Sequence, residues 1–345
     1  MLRESVTISR NDEIYECFPD LMRLETGTLL CVYRESNNHT AEDFCDLVWR
    51  TSDDDGKTWG NRHVLVESRP ADGELMKWNC PRTGVLADGR VYILCDQYPR
   101  FTGHEDEGST TWIWWSNDGG ETWADPVDTG VKGIVPDQLC ELPSGRLLLS
   151  KQEREPMTGK LRQRVCISDD GGKTWSDSVE IAFHPDLHLC EGSILRLPDG
   201  TLVCYMRENS MKGLPVYKAI SKDDGESWVG PFETPMHGGH RPVAGFLPSG
   251  HVMVVYRYTT AGKGFAKGVF AYRESVESAA EVDVDKQEGR FAAIDHDRSA
   301  RLDTGYVGWV TLPDGRAFIA NYINDDAPKA QIRGYWISES DFIIE

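Results

Sequence analysis

Residues 194–208 read Ile-Leu-Arg-Leu-Pro-Asp-Gly-Thr-Leu-Val-Cys-Tyr-Met-Arg-Glu. An apolar run enters, Pro-Asp-Gly reverses the chain, and a second apolar run returns it, the pattern of a tight β-hairpin. The pattern recurs at 21–35 (LMRLETGTLLCVYRE), 83–97 (TGVLADGRVYILCDQ), 139–153 (LCELPSGRLLLSKQE), 244–258 (AGFLPSGHVMVVYRY) and 309–323 (WVTLPDGRAFIANYI). The turn glycines Gly27, Gly89, Gly145, Gly200, Gly250 and Gly315 are separated, by subtraction, by 62, 56, 55, 50 and 65 residues. A repeat of about 50 residues with four short strands is a propeller blade. Six copies predict an all-β chain: a six-bladed β-propeller of four-stranded antiparallel blades, one domain over residues 1–345. The blades are expected at 13–75, 76–130, 131–185, 186–235, 236–297 and 298–345, the last closed by residues 4–9. There, Glu4 to Ile8 should pair with the last sheet and remove an exposed edge.

A second repeat, S-x-D-x-G-x-[ST]-W, falls between these hairpins at Ser52–Trp59, Ser116–Trp123, Ser168–Trp175 and Ser221–Trp228. Its aspartates Asp54, Asp118, Asp170 and Asp223 lie 64, 52 and 53 residues apart by subtraction. Serine and aspartate satisfy turn amides, glycine supplies positive φ and tryptophan covers the strand pair, so the motif is a self-contained hairpin tip. These aspartates are assigned no catalytic role. The Gly turn joins strands one and two of a blade and the Ser-Asp turn joins strands three and four. Both turns therefore lie at one end of each blade, and strand-one starts and strand-two ends lie at the other.

Candidate functional residues are found by counting from each turn glycine. Nine positions before it stand Phe18, Cys80, Pro136, Glu191, Arg241 and Tyr306; seven after it stand Arg34, Asp96, Gln152, Arg207, Arg257 and Tyr322. Asp20, Arg82 and Asp137 lie within one or two residues of the first set. An acid, a phenol and several guanidiniums thus gather at equivalent strand ends of adjacent blades. Strand-end polar groups also occur as plain solvated rim residues, and tyrosine is a favoured strand residue.

Composition narrows the function. Lys and Arg total 37 against 56 Asp and Glu, a formal net charge of −19, and no basic run exists, which argues against nucleic acid as a partner. No stretch approaches the roughly 18 apolar residues of a membrane span, and the charged N-terminus lacks an apolar leader, so a cytoplasmic location is expected. The nine cysteines are odd in number, form no CxxC and lie mostly in apolar runs, which reads as buried thiols. His184 and His188 are four apart, but Pro185 opposes a helix there and no HExxH occurs, so neither metal nor cofactor is expected.

The Ser-Asp turns match the Asp box of sialidases, and the chain resembles the sialidase (neuraminidase) superfamily of BNR-repeat six-bladed glycoside hydrolases. CEGSILRLPDGTLVCYMREN is similar to the segment holding the family's catalytic Glu and second triad Arg, and TGYVGWVTLPDG to the segment holding its nucleophilic Tyr. The resemblance implies Tyr306 as nucleophile, Glu191 as its base, and Arg207 and Arg241 as carboxylate ligands supported by Arg257. A phenol suits an anomeric centre that bears its own carboxylate, because it is neutral until deprotonated. Two departures stand out. Cys17-Phe18-Pro19 replaces the family's Arg-Ile-Pro, so Arg34 or Arg82 would stand in for the missing arginine, with Asp20 beside them. Ala41 occupies the place of the acid/base Asp, which leaves Asp43 as the nearest candidate and His39 and Glu42 as rivals. The implied activity is exo-acting release of a terminal, acidic sugar from a glycan. The alternatives are an exo-arabinanase-like enzyme with paired carboxylates and a non-catalytic glycan-binding propeller.

Overall fold

The computed structural model describes residues 4–101, 108–260 and 267–344. Its strands form six antiparallel sheets in chain order, each four strands deep, the architecture of a six-bladed β-propeller. The first strand of blade two is broken into Met76–Trp78 and Arg82–Val85, both paired with Val91–Pro99. By internal contacts the chain divides into two units, Met1–Pro136 with Asp297–Ile337, and Asp137–His296 with Ser338–Glu345. The first holds blades one, two and six, the second blades three, four and five.

Within the first unit, the second strand of blade one, Leu29–Ser36, is buried along its whole length. Its alternate residues serve two cores: Leu29, Cys31 and Tyr33 pack with Phe318, Ala320 and Tyr322 of blade six, while Leu30 and Val32 pack with Val91, Ile93 and Cys95 of blade two. A strand covered on both faces must be apolar throughout, which is why the hairpin repeats read as continuous apolar runs. The second unit repeats the arrangement. Leu202, Cys204 and Met206 face Leu148 and Val165 of blade three, while Val203 and Tyr205 face Val252, Val254 and Tyr256 of blade five. Each such side chain contributes roughly 1.5–3 kcal/mol by leaving water. Fourth strands lie outermost and are half exposed, as in Val229–His237. All nine cysteines are free, eight of them buried.

The Ser-Asp turns form as their chemistry dictates. Ser52 Oγ accepts from the Gly56 amide (3.0 Å), and Asp54 accepts from the Thr58 amide (2.8 Å) and hydroxyl (2.7 Å). Gly56 adopts φ +87° and lies against Phe318, so that a Cβ there would come within 2.7 Å of the ring. The same bonds recur at Asp118, Asp170 and Asp223. In blade five a short helix, Val276–Ala280, follows the third strand instead.

The N-terminal strand Ser5–Ser9 pairs with Gln331–Ile337 and completes the sixth sheet. At its end Ser9 Oγ donates to buried Glu16 Oε1 (2.7 Å), and Tyr33 donates to Ser9 Oγ (3.0 Å). Glu16 Oε2 has no protein partner. Burial, opposed by the Ser9 hydrogen bond and assisted by Glu35, pushes the Glu16 carboxyl up to about 8. The unfolded chain releases this proton near pH 4.5, whereas the folded chain holds it to about pH 8. Between those limits the folded state binds the extra proton, so stability falls as pH rises. Glu16→Gln is expected to flatten this part of the pH profile and raise the melting temperature at pH 8, as checked by thermal denaturation from pH 5 to 8.5.

Candidate functional site

Five non-glycine residues at the starts of inner strands adopt left-handed backbone: Phe18 (φ 57°), Val135 (52°), Glu191 (51°), Arg241 (52°) and Tyr306 (57°). Four of them are members of the set nine residues before a turn glycine, and Val135 is one residue removed from it. In blades one, four, five and six the pairing register slips at these residues, between Cys17 and Asp20, Cys190 and Ser193, His240 and Val243, and Gly305 and Gly308. Each slip places two residues of the inner strand opposite one of its neighbour, a β-bulge that re-aims a side chain. Left-handed backbone costs on the order of 1–3 kcal/mol for a non-glycine residue, and it persists where the surroundings over-determine it.

Residues seven after one turn glycine brace the left-handed residue of the next blade in three cases. Asp96 accepts from the Val135 amide (3.0 Å), and Gln152 Oε1 accepts from the Glu191 amide (2.9 Å). Gln163 takes the following amide, Gly192 (2.9 Å). Tyr322 of blade six packs its ring edge-on against Phe18 of blade one (5.2 Å). Counting from the turns finds both sets; their interlocking is visible only in three dimensions.

In the first unit, Phe18 is the hub. Its ring meets those of Tyr306 (5.0 Å) and His39 (5.5 Å) edge-on, and the Arg34 guanidinium lies 4.5 Å above it. Arg34 is fully buried, and its Nη2 donates to the His39 carbonyl (2.6 Å). The His39 ring is about half exposed, and its Nδ1 lies 2.6 Å from Asp303 Oδ2. Asp303 also accepts from the Tyr15 hydroxyl and from Tyr322 (2.9 Å). Burial, then the Asp303 charge, drives the Tyr15 phenol far above its ordinary range, so it remains a donor. Arg82 Nη1 donates to Asp20 (2.9 Å) and to the Val307 carbonyl (2.9 Å), and Asp20 also accepts from the Thr83 amide (2.8 Å). Both members of that ion pair are at most 2% exposed and clasp blades one, two and six. Asp43 sits on the exposed loop, where it accepts from Asn37 Nδ2 (2.7 Å); Glu42 accepts there from Thr40 (3.0 Å).

In the second unit, Arg207 Nη1 donates to Glu191 (2.8 Å), and its Nη2 donates to Asn209 (2.5 Å). Arg241 is fully buried, with Asp137 3.4 Å away. Arg257 Nη2 is 3.5 Å from His240 Nδ1. Burial, with Arg207 and Arg257 beside it, drives His240 far below its ordinary range and keeps it uncharged. The three arginines expected to bind a carboxylate thus gather in one unit, with Glu191 and Asp137 as counter-ions. Among the described residues, no group of three or more His, Cys, Asp or Glu is arranged to hold a metal ion, and no helix is long and apolar enough to cross a membrane.

A model of the BNR repeat-like domain matches residues 27–277, from the turn of the first hairpin through the hairpins of blades two to five, with all four Ser-Asp turns. The chain belongs to the BNR repeat-like domain family. A Paraclostridium sordellii sialidase is 26% identical to this BNR repeat-like chain over 255 residues, 66% of the chain and 61% of the sialidase's length. Among solved structures, a Dyadobacter fermentans protein of unknown function aligns with TM-score 0.77 and 22% identity over 96% of this chain and 97% of its own. The Hadza microbial sialidase Hz136 aligns with TM-score 0.72 and 16% identity over 99% and 70%. A Penicillium chrysogenum α-L-arabinanase aligns with TM-score 0.65 and 15% identity over 98% and 99%. These likenesses establish the propeller fold of the BNR repeat-like chain.

Asp303 escapes a sequence reading of this BNR repeat-like protein. It precedes the strand whose register is counted, and its partners His39 and Tyr15 are 264 and 288 residues away in the chain. No local spacing could signal it.

Proposed function

We infer that this protein is an exo-acting glycosidase of the sialidase type that releases a terminal acidic sugar. Tyr306 serves as nucleophile and Glu191 as the base that activates it, while Arg207, Arg241 and Arg257 receive the sugar carboxylate. The observation that carries this reading is the shared left-handed bulge at Glu191, Arg241 and Tyr306, the three polar members of one equivalent set. The bulge is shared with the apolar Phe18, but at these three positions it aims chemically capable side chains from equivalent strand ends, which favours a functional site over a solvated rim. The sialidase relative supports the reaction class. Phenol chemistry accords with an anionic substrate, since a carboxylate nucleophile would be repelled by the sugar's own charge.

The test is a panel of aryl glycosides of sialic acid, related 2-keto acid sugars, uronic acids and arabinose. Turnover is expected with an acidic sugar. Arg207→Ala should then raise KM for that sugar by about 10-fold or more while changing binding of a neutral analogue little, because a guanidinium–carboxylate contact is charge-assisted. Equal losses for both would remove the anionic substrate. Turnover confined to arabinosides would instead favour paired-carboxylate chemistry, and binding without turnover a lectin-like role.

A further inference from the structure

We propose that His39, held by Asp303, is the general acid/base of the glycosidase reaction, in place of any carboxylic acid on its loop. The inference rests on the glycosidase reading and adds to it the group that handles the leaving-group proton.

Three observations in the first unit carry it. The position where an acid was sought, Ala41, is fully buried and has no proton to give. Asp43 is turned onto Asn37 at the loop surface, and Glu42 is engaged there by Thr40 and lies 3.8 Å from Arg100. His39, by contrast, is fixed at both ends. Arg34 holds its carbonyl from the buried side and Asp303 holds its Nδ1, while the ring stands edge-on to Phe18, which also carries Tyr306. The ring remains about half exposed, and no described residue hydrogen-bonds Nε2.

A carboxylate on Nδ1 sets the imidazole's tautomer and orientation and stabilises the imidazolium, while leaving Nε2 as the proton-exchanging atom. Asp303 is suited to that task because two tyrosine hydroxyls, Tyr15 and Tyr322, fix its own oxygens. Asp303 is therefore a positioning residue. In the first step the Tyr306 hydroxyl passes its proton to its base, Glu191, as its oxygen bonds to the anomeric carbon and the bond to the aglycone oxygen breaks. The departing oxygen keeps the electron pair and takes the Nε2 proton. In the second step neutral Nε2 accepts a proton from water as the water oxygen bonds to the anomeric carbon, and the Tyr306–carbon bond breaks, the tyrosine oxygen keeping the electron pair and regaining its proton from Glu191. The groups facing the ring are Asp303, Tyr15, Phe18 and, through the backbone, Arg34.

The experiment compares a poor leaving group, such as an alkyl or sugar aglycone, with an activated one, such as dinitrophenol. For His39→Ala, kcat/KM with the poor leaving group should fall about 10²–10³-fold. With the activated one it should fall less than about tenfold, and added imidazole should restore part of the loss, because proton donation matters only when the departing oxygen is basic. Asp303→Asn should show the same leaving-group dependence to a smaller degree, with KM little changed. Because Asp303 also braces two tyrosines, His39→Ala alone decides the matter if Asp303→Asn does not fold. Nitrogen-15 NMR of the wild type should find neutral His39 protonated on Nδ1; an Nε2–H tautomer overturns the assignment. Equal loss for both leaving groups, or a leaving-group-dependent loss in Asp43→Ala instead, overturns the proposal and leaves the glycosidase reading standing. A wild type with the Nδ1–H tautomer that cleaves nothing in the panel overturns the glycosidase reading, and the catalytic role of His39 with it.

Discussion

Tyr306→Phe is expected to fold normally and to lose glycoside turnover by about 10³-fold or more, the scale on which removal of a covalent nucleophile acts. The substitution removes one oxygen from a partly exposed ring and keeps the edge-on packing against Phe18 at 5.0 Å between centroids. Its backbone demand is unchanged, since Phe18 occupies the equivalent left-handed position in blade one with the same φ of 57°. A tyrosine there is thus not required by the fold. Steady-state kinetics on the best acidic glycoside, with a melting curve and a binding isotherm for the same variant, separates the possibilities. Lost turnover with binding and melting temperature retained supports the nucleophile. Unchanged turnover excludes it and directs attention to carboxylates.

The second large effect is structural. Asp20→Ala is expected to destabilise the protein by about 3–5 kcal/mol, because it removes a fully buried carboxylate that pairs with the buried Arg82 guanidinium. The Thr83 amide would lose its acceptor in the same substitution. Blade six is tightly apposed here: a Cβ on Gly308 would lie 2.4 Å from Asp20 Oδ1 and 2.5 Å from its Cα. On that side the space is filled by the backbone and carboxylate of Asp20. Chemical denaturation measures the loss. A variant of native stability with a raised KM would instead support Asp20 and Arg82 as members of the substrate-binding group in which counting places them.

Much of the fold was legible because its signals are local. A Ser-Asp turn closes through partners two to four residues apart, as Ser52 with Asp54 and Asp54 with Thr58, so eight residues specify it wherever they occur. Each hairpin likewise carries its own glycine turn and two apolar runs, and repetition supplies the blade count. The equivalence of Glu191, Arg241 and Tyr306 also followed from counting, since blades four, five and six each begin the first strand eleven residues before the turn glycine.

What the count could not reach was backbone hand and partnership across blades. The same nine-residue offset yields a left-handed bulge at Phe18, Glu191, Arg241 and Tyr306 but not at Cys80, where the inner strand of blade two is broken. Arg34, Asp20 and Arg82 stand at strand ends in the sequence, yet packing withdraws them to at most 2% exposure and commits them to a backbone carbonyl or to each other. His39 and Asp303 come together from 264 residues apart, because the start of blade six packs beside the first blade. Local chemistry determined the turns, strands and repeat of this protein. The juxtaposition of its chemical groups was decided by the packing of one sheet on the next, since those contacts join residues that no sequence interval relates.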